Sequence, residues 1–492
     1  MEKNKTTIIL IILFLIAFAL RMYLMPGHLF FGPEQGRDFL VIRDIVENHK
    51  LTLIGSKTDT SGIFHGPVYY YLASIPFALS GGNPVAVFVF FVLIQALSVF
   101  LAYQLTLEFT KSRRAGCISA ALFAVSYAFV VYARWLSNPP LAIPFSMLLM
   151  LSLVRFIRGN PKYLIASAIM YGLAGQAEFI NFLLFGVIGL LALVIFWKQS
   201  IRTNISVIVY SIIAGIIISA GTYILFDLRH NFLISNAVLY LVLGKGINNL
   251  TLWTSTGGAF RVLMEQVAAS VGLSWWVWGL AITTLAMVAW YQKFRRDKAL
   301  ILLALWLWVP PVILAILRHG MLDQLYAGVI SVVLVLISVA IDWIWERKKL
   351  LGIVVLLAVI GLNVWVTAGN LRDNYHVFFQ PQQPAVRYND QLSVIDWVYG
   401  HAAGRPFEFQ AYTIPYFLQD AWIYLFDEYG LMKYGYKPTP VDRKLLYVII
   451  QKDTLDPAFQ LSWYTKTVST WGRKQAGTTI GEYTVEERTA EK

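Results

Sequence analysis

Long runs of apolar residues dominate the first three quarters of the chain and are separated by short polar linkers. A helix needs about 20 apolar residues to cross a bilayer, so each run of roughly this length predicts a membrane span. Eleven spans are predicted, near residues 6–25, 84–109, 115–133, 140–155, 162–178, 180–197, 205–226, 270–291, 299–317, 324–343 and 350–369. The pattern therefore indicates a polytopic α-helical membrane protein.

Two stretches depart from a simple succession of spans. Residues 162–197 must fold as two short helices that reverse at Gln176–Glu178, and residues 67–80 form a shorter apolar segment, either interfacial or leading into the second span. The first span follows Lys3 and Lys5 and resembles a cleavable signal peptide, with small residues at Ala17 and Ala19. Because apolar residues continue past Arg21, we expect an uncleaved span.

The basic residues indicate the orientation. Linkers 111–114, 155–162, 198–202, 293–298 and 347–349 are rich in Lys and Arg, and they alternate with linkers that are poor in both. The positive-inside rule places these linkers and the N-terminus on the cytoplasmic side of the cell membrane. An odd number of spans then places the C-terminus outside the cell. The segments predicted on this outer side are residues 26–66, residues 227–269 and everything beyond 370.

Composition supports this interpretation. Hydrophobic residues make up 58% and charged residues 14% of the chain, whereas soluble domains carry about 25% charge. The net charge is +12. Because basic residues cluster in the linkers predicted to be cytoplasmic, this charge indicates topology rather than nucleic-acid binding. The single cysteine, Cys117, excludes an intrachain disulfide and a cysteine-built metal centre.

The last part of the chain is polar enough to fold in water. Residues 370–492 contain helix-like stretches at 390–401 and near 415–429, and strand-like runs at 406–413, 445–451 and 478–485. We therefore predict two domains: a membrane domain of residues 1–369, whose outer loop 26–66 carries an acidic motif, and a small extracytoplasmic α/β domain of residues 370–492 docked on it. No internal repeat is found.

The first outer loop contains the most informative motif, Glu34-Gln35-Gly36-Arg37-Asp38. If Asp38 opens a helix that continues to Asn48, the two carboxylates, four residues apart, lie on one face. Either carboxylate could act as a general base toward a hydroxyl or an amine. The alternative is a solvated helix start in which Glu34 favours the helix dipole.

The same loop ends in His65-Gly66-Pro67-Val68-Tyr69-Tyr70-Tyr71. His65 could neutralise a phosphate and the tyrosines could line a groove, or they could form an interfacial aromatic belt. Further ionisable or aromatic residues lie at span ends on the same side: Arg134, Glu178, Asp227, Arg229, His230 and Tyr326. Ionisable groups at membrane depth often mark function, although Asp227 and Arg229 could simply pair. A lipid phosphate held by arginine and histidine fits this set, and the chain has no Walker A motif.

These motifs resemble those of the GT-C glycosyltransferases, specifically the glycosyltransferase family 39 group with the protein O-mannosyltransferases and the lipid A aminoarabinose transferases. The resemblance is carried by 34–38, by 65–71, by the outer turn 134–140 and by the C-terminal domain. The family motif normally opens with an Asp-Glu pair whose Asp is the base. This chain has Glu34-Gln35 at the matching place.

The resemblance implies a GT-C fold and inverting transfer of a hexose or pentose from a polyprenyl-phosphate donor to a lipid, glycan or protein acceptor. Glu34 or Asp38 would be the base, and Asp38 is also a candidate ligand for a divalent metal ion, although no certain cofactor is implied. The donor phosphate would be held by His65, Arg229, His230 and Arg134. The substrate groove would be lined by Arg37, Tyr69, Tyr70, Glu178 and Tyr326.

Two other functions remain open from the sequence. A transporter or flippase for a lipid-linked or glycan substrate would share the spans and the outer charges, but it would usually show inverted repeats or broken helices at mid-membrane. A non-catalytic scaffold would leave the paired acids unexplained. In the C-terminal domain, Tyr412, Tyr416, Trp422 and Tyr424 are expected either to stack on sugars or to pack in a small core.

Overall fold

The computed structural model describes residues 2–198, 202–243, 251–294, 297, 299–318, 322–372, 386–439 and 444–489. The part before residue 373 is helical. Its helices are α1 (Glu2–Arg21), α2 (Pro33–Glu47), α3 (Val68–Ser80), α4 (Pro84–Thr110), α5 (Arg113–Val125), α6 (Tyr127–Ala133), α7 (Ala142–Ile157), α8 (Tyr163–Ala177), α9 (Ile180–Ile195), α10 (Ile205–Arg229), α11 (Leu233–Val242), α12 (Leu252–Ala269), α13 (Trp276–Phe294), α14 (Ala299–Leu317), α15 (Ser331–Arg347) and α16 (Lys349–Arg372). Short 3₁₀ turns lie at Pro139–Leu141 and Asp323–Tyr326.

Each of the eleven predicted spans contains a helix, and the protein is a multi-pass helical membrane protein. By length and composition, six helical segments of the described residues qualify as membrane spans, which are Asn4–Arg21, Pro84–Thr110, Pro139–Ile157, Ile205–Arg229, Ala299–Leu317 and Lys349–Arg372. A seventh arises if α5 and α6, bent by 56° at their junction, form one span. Because the remaining helices are shorter or less apolar, eleven crossings stay a prediction.

The break between α5 and α6 is stabilised by polar side chains. The buried Arg21 guanidinium at the end of α1 donates to the carbonyl oxygens of Phe123 (3.1 Å) and Ala124 (3.0 Å). On the other side of the break, the buried Asn363 accepts a hydrogen bond from the amide of Tyr127 (2.9 Å). Backbone groups freed at a break need such partners, because apolar surroundings offer none.

Linkers predicted to share one side of the membrane contact one another. The buried Asp342 of α15 is paired with Lys293 of α13 (2.5 Å) and with Arg114 of α5. Arg158, after α7, is paired with Glu108 of α4 at 2.8 Å. These contacts gather the basic linkers at one end of the bundle, which we name the basic end. Residues 199–201, 295, 296 and 298 of these linkers lie outside the described residues.

The described residues after 385 form a four-stranded mixed sheet with helices, to which we give the name C-terminal domain. Its elements are α17 (Tyr388–Ala402), β1 (Glu408–Tyr412), α18 (Asp420–Leu425), a π-helical turn (Phe426–Gly430), α19 (Leu431–Tyr434), β2 (Leu445–Gln451), α20 (Pro457–Lys466), a 3₁₀ turn (Val468–Thr470), β3 (Arg473–Ile480) and β4 (Tyr483–Thr489). The strand order is β1-β2-β4-β3, with β1 parallel to β2 and the other pairs antiparallel.

Two predictions in this domain were wrong in detail. The single strand predicted at 478–485 is the turn and both arms of the β3–β4 hairpin, because Gly481 takes a left-handed φ of 56° that reverses the chain. The second predicted helix begins at Asp420 rather than near 415, and α20 was not predicted. The strand β2 has the predicted bounds. The predicted domain boundary at 369/370 falls within the last turn of α16, which ends at Arg372. Residues 373–385 lie outside the described residues.

The C-terminal domain packs on α2. A Cβ at Gly36 would overlap the backbone of Asp420 and Ala421, so only glycine allows α18 to approach α2 this closely. Phe39 packs edge-on to Tyr424 at a centroid distance of 5.2 Å. Arg43 is paired with Asp427 at 2.9 Å. The helix with the acidic motif is therefore held between the bundle and this domain.

Candidate functional site

The helix α2 begins at Pro33, five residues before Asp38. Pro33 occupies its first turn, where the missing N–H costs nothing and the fixed φ favours helix. The Gln35 side chain accepts from the amide of Gly32 (3.1 Å) and donates to the carbonyl of Leu136 (2.9 Å). The prediction that Asp38 opens the helix was thus wrong, whereas its extension toward Asn48 is confirmed, and Glu34 already lies in the first turn.

Glu34 is half-buried and is held by the turn that follows α6. Its Oε1 accepts from the Ser137 hydroxyl at 2.6 Å, and its Oε2 accepts from the Trp135 indole N–H at 3.3 Å. Both hydrogen bonds hold the carboxylate in one orientation. Glu34 therefore combines a fixed orientation with access from solvent.

Asp38, one turn further on, is completely buried. Its Oδ1 accepts from Arg37 Nε (3.0 Å), from Arg37 Nη2 (2.8 Å) and from the Tyr70 hydroxyl (2.9 Å). Its Oδ2 is buried without a hydrogen-bond partner. Burial raises the pKa of Asp38 to about 7, although the charge of Arg37 opposes this shift. Asp38 therefore titrates near neutral pH.

Arg37 is the cation of this cluster. Its side chain retains 40% exposure although its guanidinium is paired with Asp38. The Asp38 carboxylate raises the pKa of Arg37 against the effect of its partial burial. A fixed positive charge thus faces solvent beside the two carboxylates.

His65 lies in the buried loop next to this cluster. Its amide donates to the carbonyl of Ser56 (2.9 Å), and its ring Nδ1 is buried without a partner. Burial, followed by the charge of Arg37, lowers the pKa of His65 to about 3. His65 is neutral at pH 7, so it offers a hydrogen bond to a ligand but no positive charge.

The predicted groove tyrosines have different surroundings. Tyr70 donates to Asp38, whereas the hydroxyl of the buried Tyr69 has no partner and its ring stacks on Phe91 at 5.1 Å. The orphan atoms of Asp38, His65 and Tyr69 are all buried. Buried polar groups without partners are rare in proteins, so each of these three atoms is a candidate for a hydrogen bond to a substrate or a water molecule.

An apolar groove adjoins the loop that carries His65. It has a volume of about 630 Å³ and is lined mostly by aromatic and aliphatic side chains of α9, α10 and α11. The Tyr223 hydroxyl in its wall donates to the carbonyl of Phe64 at 3.2 Å. Tyr171 of α8 lines this groove. It also lines a second apolar cavity of about 360 Å³ between α7, α8 and α9. Tyr223 connects the groove to the loop at Phe64, although residues 64–66 do not line the groove.

Arg229 and His230 lie at the end of α10, beside this groove, and both are exposed. The His230 ring stacks on Phe226 at a centroid distance of 3.9 Å, and its Nδ1 lies 2.8 Å from the Phe226 carbonyl oxygen. Asp227 binds the amides of Ile234 and Ser235 at the start of α11. Its carboxylate therefore caps α11, and no ion pair with Arg229 is found in the described part of the chain.

Three further predicted residues have structural contacts. Arg134 is buried, and its Nη1 donates to the carbonyls of Arg21 and Tyr23, each at 2.8 Å, which fastens the end of α1. Tyr326 is buried and donates to the carbonyl of Ala259 at 2.7 Å. Glu178 is buried at the reversal between α8 and α9 and lines a small cavity of about 40 Å³ with Asp59. Within the described part of the chain, no hydrogen bond joins these three side chains to Glu34 or Asp38.

Among the described residues, no group of three or more His, Cys, Asp or Glu side chains is arranged to hold a metal ion. The Oδ1 atom of Asp38 already accepts three hydrogen bonds, which leaves Oδ2 as the atom that a cation would reach.

The partners of Glu34 are members of the candidate site that the sequence did not reveal. Ser137 and Trp135 lie about a hundred positions from Glu34 in the chain, so no local spacing relates them. The turn 134–140 was recognised as part of the family pattern, but its residues were not assigned to the base. In the C-terminal domain, Tyr412, Trp422 and Tyr424 are buried and pack in the core, whereas Tyr416 is 40% exposed.

Comparison with known proteins agrees with this architecture. Residues 64–224 match the family model for dolichyl-phosphate-mannose-protein mannosyltransferase, which is about a third of the chain and begins after the acidic motif. A comparison with curated proteins found no match.

Two structures of ArnT from Cupriavidus metallidurans resemble the whole chain. The apo form has a TM-score of 0.64 at 10% identity, covering 100% of this chain and 99% of ArnT. The form bound to undecaprenyl phosphate has a TM-score of 0.59 at 11% identity, covering 99% and 98%.

The archaeal oligosaccharyltransferase AglB from Archaeoglobus fulgidus, in complex with an inhibitory peptide and a dolichol-phosphate, has a TM-score of 0.53 at 11% identity. The match covers 85% of this chain and 64% of AglB. The resemblance to the GT-C glycosyltransferases is confirmed, and the chain shares their fold.

Proposed function

We propose that this protein transfers a sugar from a polyprenyl-phosphate donor to an acceptor at the end of the bundle that carries α2. The observation that carries this proposal is the junction at residues 64–66. On one side lies an apolar groove of about 630 Å³, and on the other lies a cluster of two carboxylates and a cation. A lipid-linked sugar phosphate has the same two parts, a long apolar tail and an anionic head.

The groove is suited to the prenyl chain. Its lining is mostly apolar, and exposed Leu228 and Phe232 extend it at the end of α10. Arg229 follows Leu228 in the chain and would place a positive charge at the rim. The matched ArnT and AglB structures contain undecaprenyl phosphate and dolichol-phosphate, respectively, and we extend this type of ligand to the present chain.

Glu34 is the proposed general base. It is half-buried, oriented by Ser137 and Trp135, and accessible, whereas Asp38 is fully buried and its Oδ1 is occupied by Arg37 and Tyr70. Glu34 would take the proton of the acceptor hydroxyl or amine while the acceptor atom attacks the anomeric carbon. The bond from that carbon to the phosphate oxygen breaks, and inversion follows from attack opposite the phosphate.

Arg37 is the proposed electrostatic partner of the leaving group. Its guanidinium is held by Asp38 and remains partly exposed, so it can stabilise the negative charge that develops on the phosphate. Asp38 would be a positioning residue for Arg37. His65, being neutral, would donate a hydrogen bond to the sugar or the phosphate. The sugar and the class of acceptor are left to experiment.

The test uses purified protein in nanodiscs with a panel of radiolabelled polyprenyl-phosphate sugars, measuring release of free polyprenyl phosphate. We expect Glu34→Gln to lower turnover about 10²- to 10⁴-fold, the range for loss of a general base. The matched control is Asp44→Asn on the same helix, where the carboxylate is 43% exposed and pairs with Lys50. This variant should keep wild-type turnover.

Full activity of Glu34→Gln would remove Glu34 as the base. If wild type and both variants bound the donor lipids saturably but showed no turnover, a transporter or flippase would be favoured instead.

A further inference from the structure

The apolar cavity between α7, α8 and α9 is not used by the proposed reaction. Its volume is about 360 Å³, and we name it the second cavity. The groove of about 630 Å³ lies next to it, and Tyr171 lines both spaces. The second cavity is therefore a neighbour of the space to which the prenyl tail of the donor is assigned.

The chain from Phe179 through α9 supplies one lining to both spaces. Phe179 and Phe182 line the groove, and Gly186, Gly189 and Leu193 line the second cavity. Residues spaced by three and four lie on one face of a helix, so this face continues from one space to the other. From Phe179 to Leu193 it measures roughly 21 Å at about 1.5 Å per residue. This path is about two-thirds as long as the hydrocarbon core of a bilayer is thick.

The path leads from the rim of the groove toward the basic end. The groove includes Asp227 and Leu228 at the end of α10, next to Arg229. The second cavity includes Leu153 and Leu164, which flank the basic linker 155–162. A tail whose phosphate lies near Arg229 would therefore occupy the groove first and reach the second cavity with its far end.

Tyr171 stands at the boundary between the two spaces. Its hydroxyl donates to the carbonyl of Phe182 at 2.9 Å, and the two rings lie edge-on at a centroid distance of 5.7 Å. A Cβ at Gly186 would come within 3.2 Å of the Tyr171 hydroxyl, so glycine leaves room for this arrangement. A tail that continues from the groove into the second cavity would pass over this fixed side chain.

The wall of the second cavity suits a branched chain. Four small residues indent it among leucines, namely Ser167, Ala168, Gly186 and Gly189. Inside a bilayer, burial from water does not distinguish one lipid chain from another, and close packing decides which chain binds. A prenyl chain has a methyl branch on every isoprene unit, which such indentations can accept, whereas common phospholipid chains are unbranched.

The second cavity is open to the bilayer at its side. Leu190 and Leu193 in its lining are 65% and 37% exposed. Isoprene units beyond the cavity could therefore lie among the membrane lipids. Such a cavity sets a minimum length for the tail and no maximum.

We propose that the prenyl tail of the donor fills the groove, passes Tyr171 and continues into the second cavity, so that the protein selects donors with long tails. This inference rests on the proposed function for the identity of the ligand. Affinity should rise with chain length until the second cavity is filled and should then level off, because further units contact only lipid.

The experiment measures binding of radiolabelled farnesyl phosphate and undecaprenyl phosphate to the full-length protein in phosphatidylcholine nanodiscs, in excess of empty nanodiscs. In Gly189→Phe the new ring would enter the second cavity, since a Cβ there meets no atom within 4 Å. We expect this variant to bind undecaprenyl phosphate roughly tenfold more weakly than wild type and farnesyl phosphate equally well. Comparing proteins at one chain length cancels differences in partitioning into the bilayer.

The matched control is Gly361→Phe in α16, a helix that lines neither space. A Cβ at Gly361 also meets no atom within 4 Å, so binding of both lipids should stay as in wild type. A second measurement needs no variant. Geranylgeranyl phosphate with a diazirine on its last isoprene unit should crosslink to the segments of α7, α8 and α9 that line the second cavity.

The proposal is overturned if Gly189→Phe binds undecaprenyl phosphate as tightly as wild type, or if the diazirine crosslinks only to α10 and α11. The second cavity would then belong to membrane lipids. Donor turnover combined with either result would count against this inference alone. Selective loss of undecaprenyl phosphate binding in Gly189→Phe, without turnover of any donor sugar by wild type, would count against the proposed transfer alone. If wild type bound neither lipid, both would fail.

Discussion

At the residue scale, Glu34 and Asp38 of α2 are four residues apart, and this spacing suggested a common role. Their surroundings in the structure differ. Glu34 receives a hydroxyl and an indole N–H from a turn remote in sequence and stays half-buried. Asp38 receives three hydrogen bonds on one oxygen and none on the other. Burial alone separates a candidate base from a candidate positioning residue.

The pKa of Asp38 gives a prediction about pH. The ionised form holds Arg37, and its pKa of about 7 places the loss of that charge within the assay range. Turnover should therefore rise between about pH 6 and 8, with a midpoint near 7. In Asp38→Asn this rise should be absent and the rate lower, whereas Asp44→Asn should keep it. A wild-type profile that is flat in this range would contradict the assignment.

The same shift affects stability. Because the folded-state pKa lies above the ordinary value of 3.8, the folded protein binds more protons than the unfolded chain between about pH 4 and 7. Ionising Asp38 therefore lowers the free energy of unfolding as pH rises through that window. We expect the difference in melting temperature between wild type and Asp38→Asn to fall as pH rises through this window. A difference that does not change with pH would mean that Asp38 is not desolvated.

At the scale of elements, the contact between α2 and α18 depends on one glycine. A Cβ at Gly36 would overlap the backbone of Asp420 and Ala421, which cannot yield as a flexible side chain can. Gly36→Ala should destabilise the docked arrangement by about 1–3 kcal/mol. Limited proteolysis and thermal unfolding in detergent would detect looser attachment of the C-terminal domain.

The control is Gly400→Ala in α17, where a Cβ would meet no atom within 4 Å. There alanine should be neutral or stabilising by about 0.5–1 kcal/mol, because glycine is a poor residue in a helix. If the two variants behaved alike, the close approach of α18 to α2 would not be what holds the domain.

At the scale of the whole molecule, the contacts between linkers support the predicted topology. Asp342 and Glu108 each gather basic residues at the basic end, while the loops around Glu34 meet at the other. A cysteine at Met432 in a Cys117→Ala background should therefore react with an impermeant thiol reagent in intact cells. A cysteine at Leu350, which is 76% exposed at the start of α16, should react only after permeabilisation.

Labelling of Leu350→Cys in intact cells, or no labelling of Met432→Cys, would contradict the predicted orientation and indicate the opposite one. The candidate site would then face the cytoplasm, and a donor on the outer side could not reach it.

The sequence by itself determined the membrane class, a helix at each predicted span, the reversal at Gln176–Glu178, the strand β2 and the acidic motif. These features follow from local properties: apolar length, charge between spans, and alternation of side chains. The left-handed turn at Gly481 could not be located from such patterns, so two strands were taken for one.

Only the tertiary structure decided which charged residues meet. Arg134 resembled a phosphate ligand at a span end, but it fastens α1. His65 resembled a cation, but burial keeps it neutral. Ser137 orients Glu34 across about a hundred residues of chain. Hydrogen bonding and desolvation depend on three-dimensional neighbours, which no periodicity in the sequence encodes, and it is these neighbours that assign chemistry to the acids of α2.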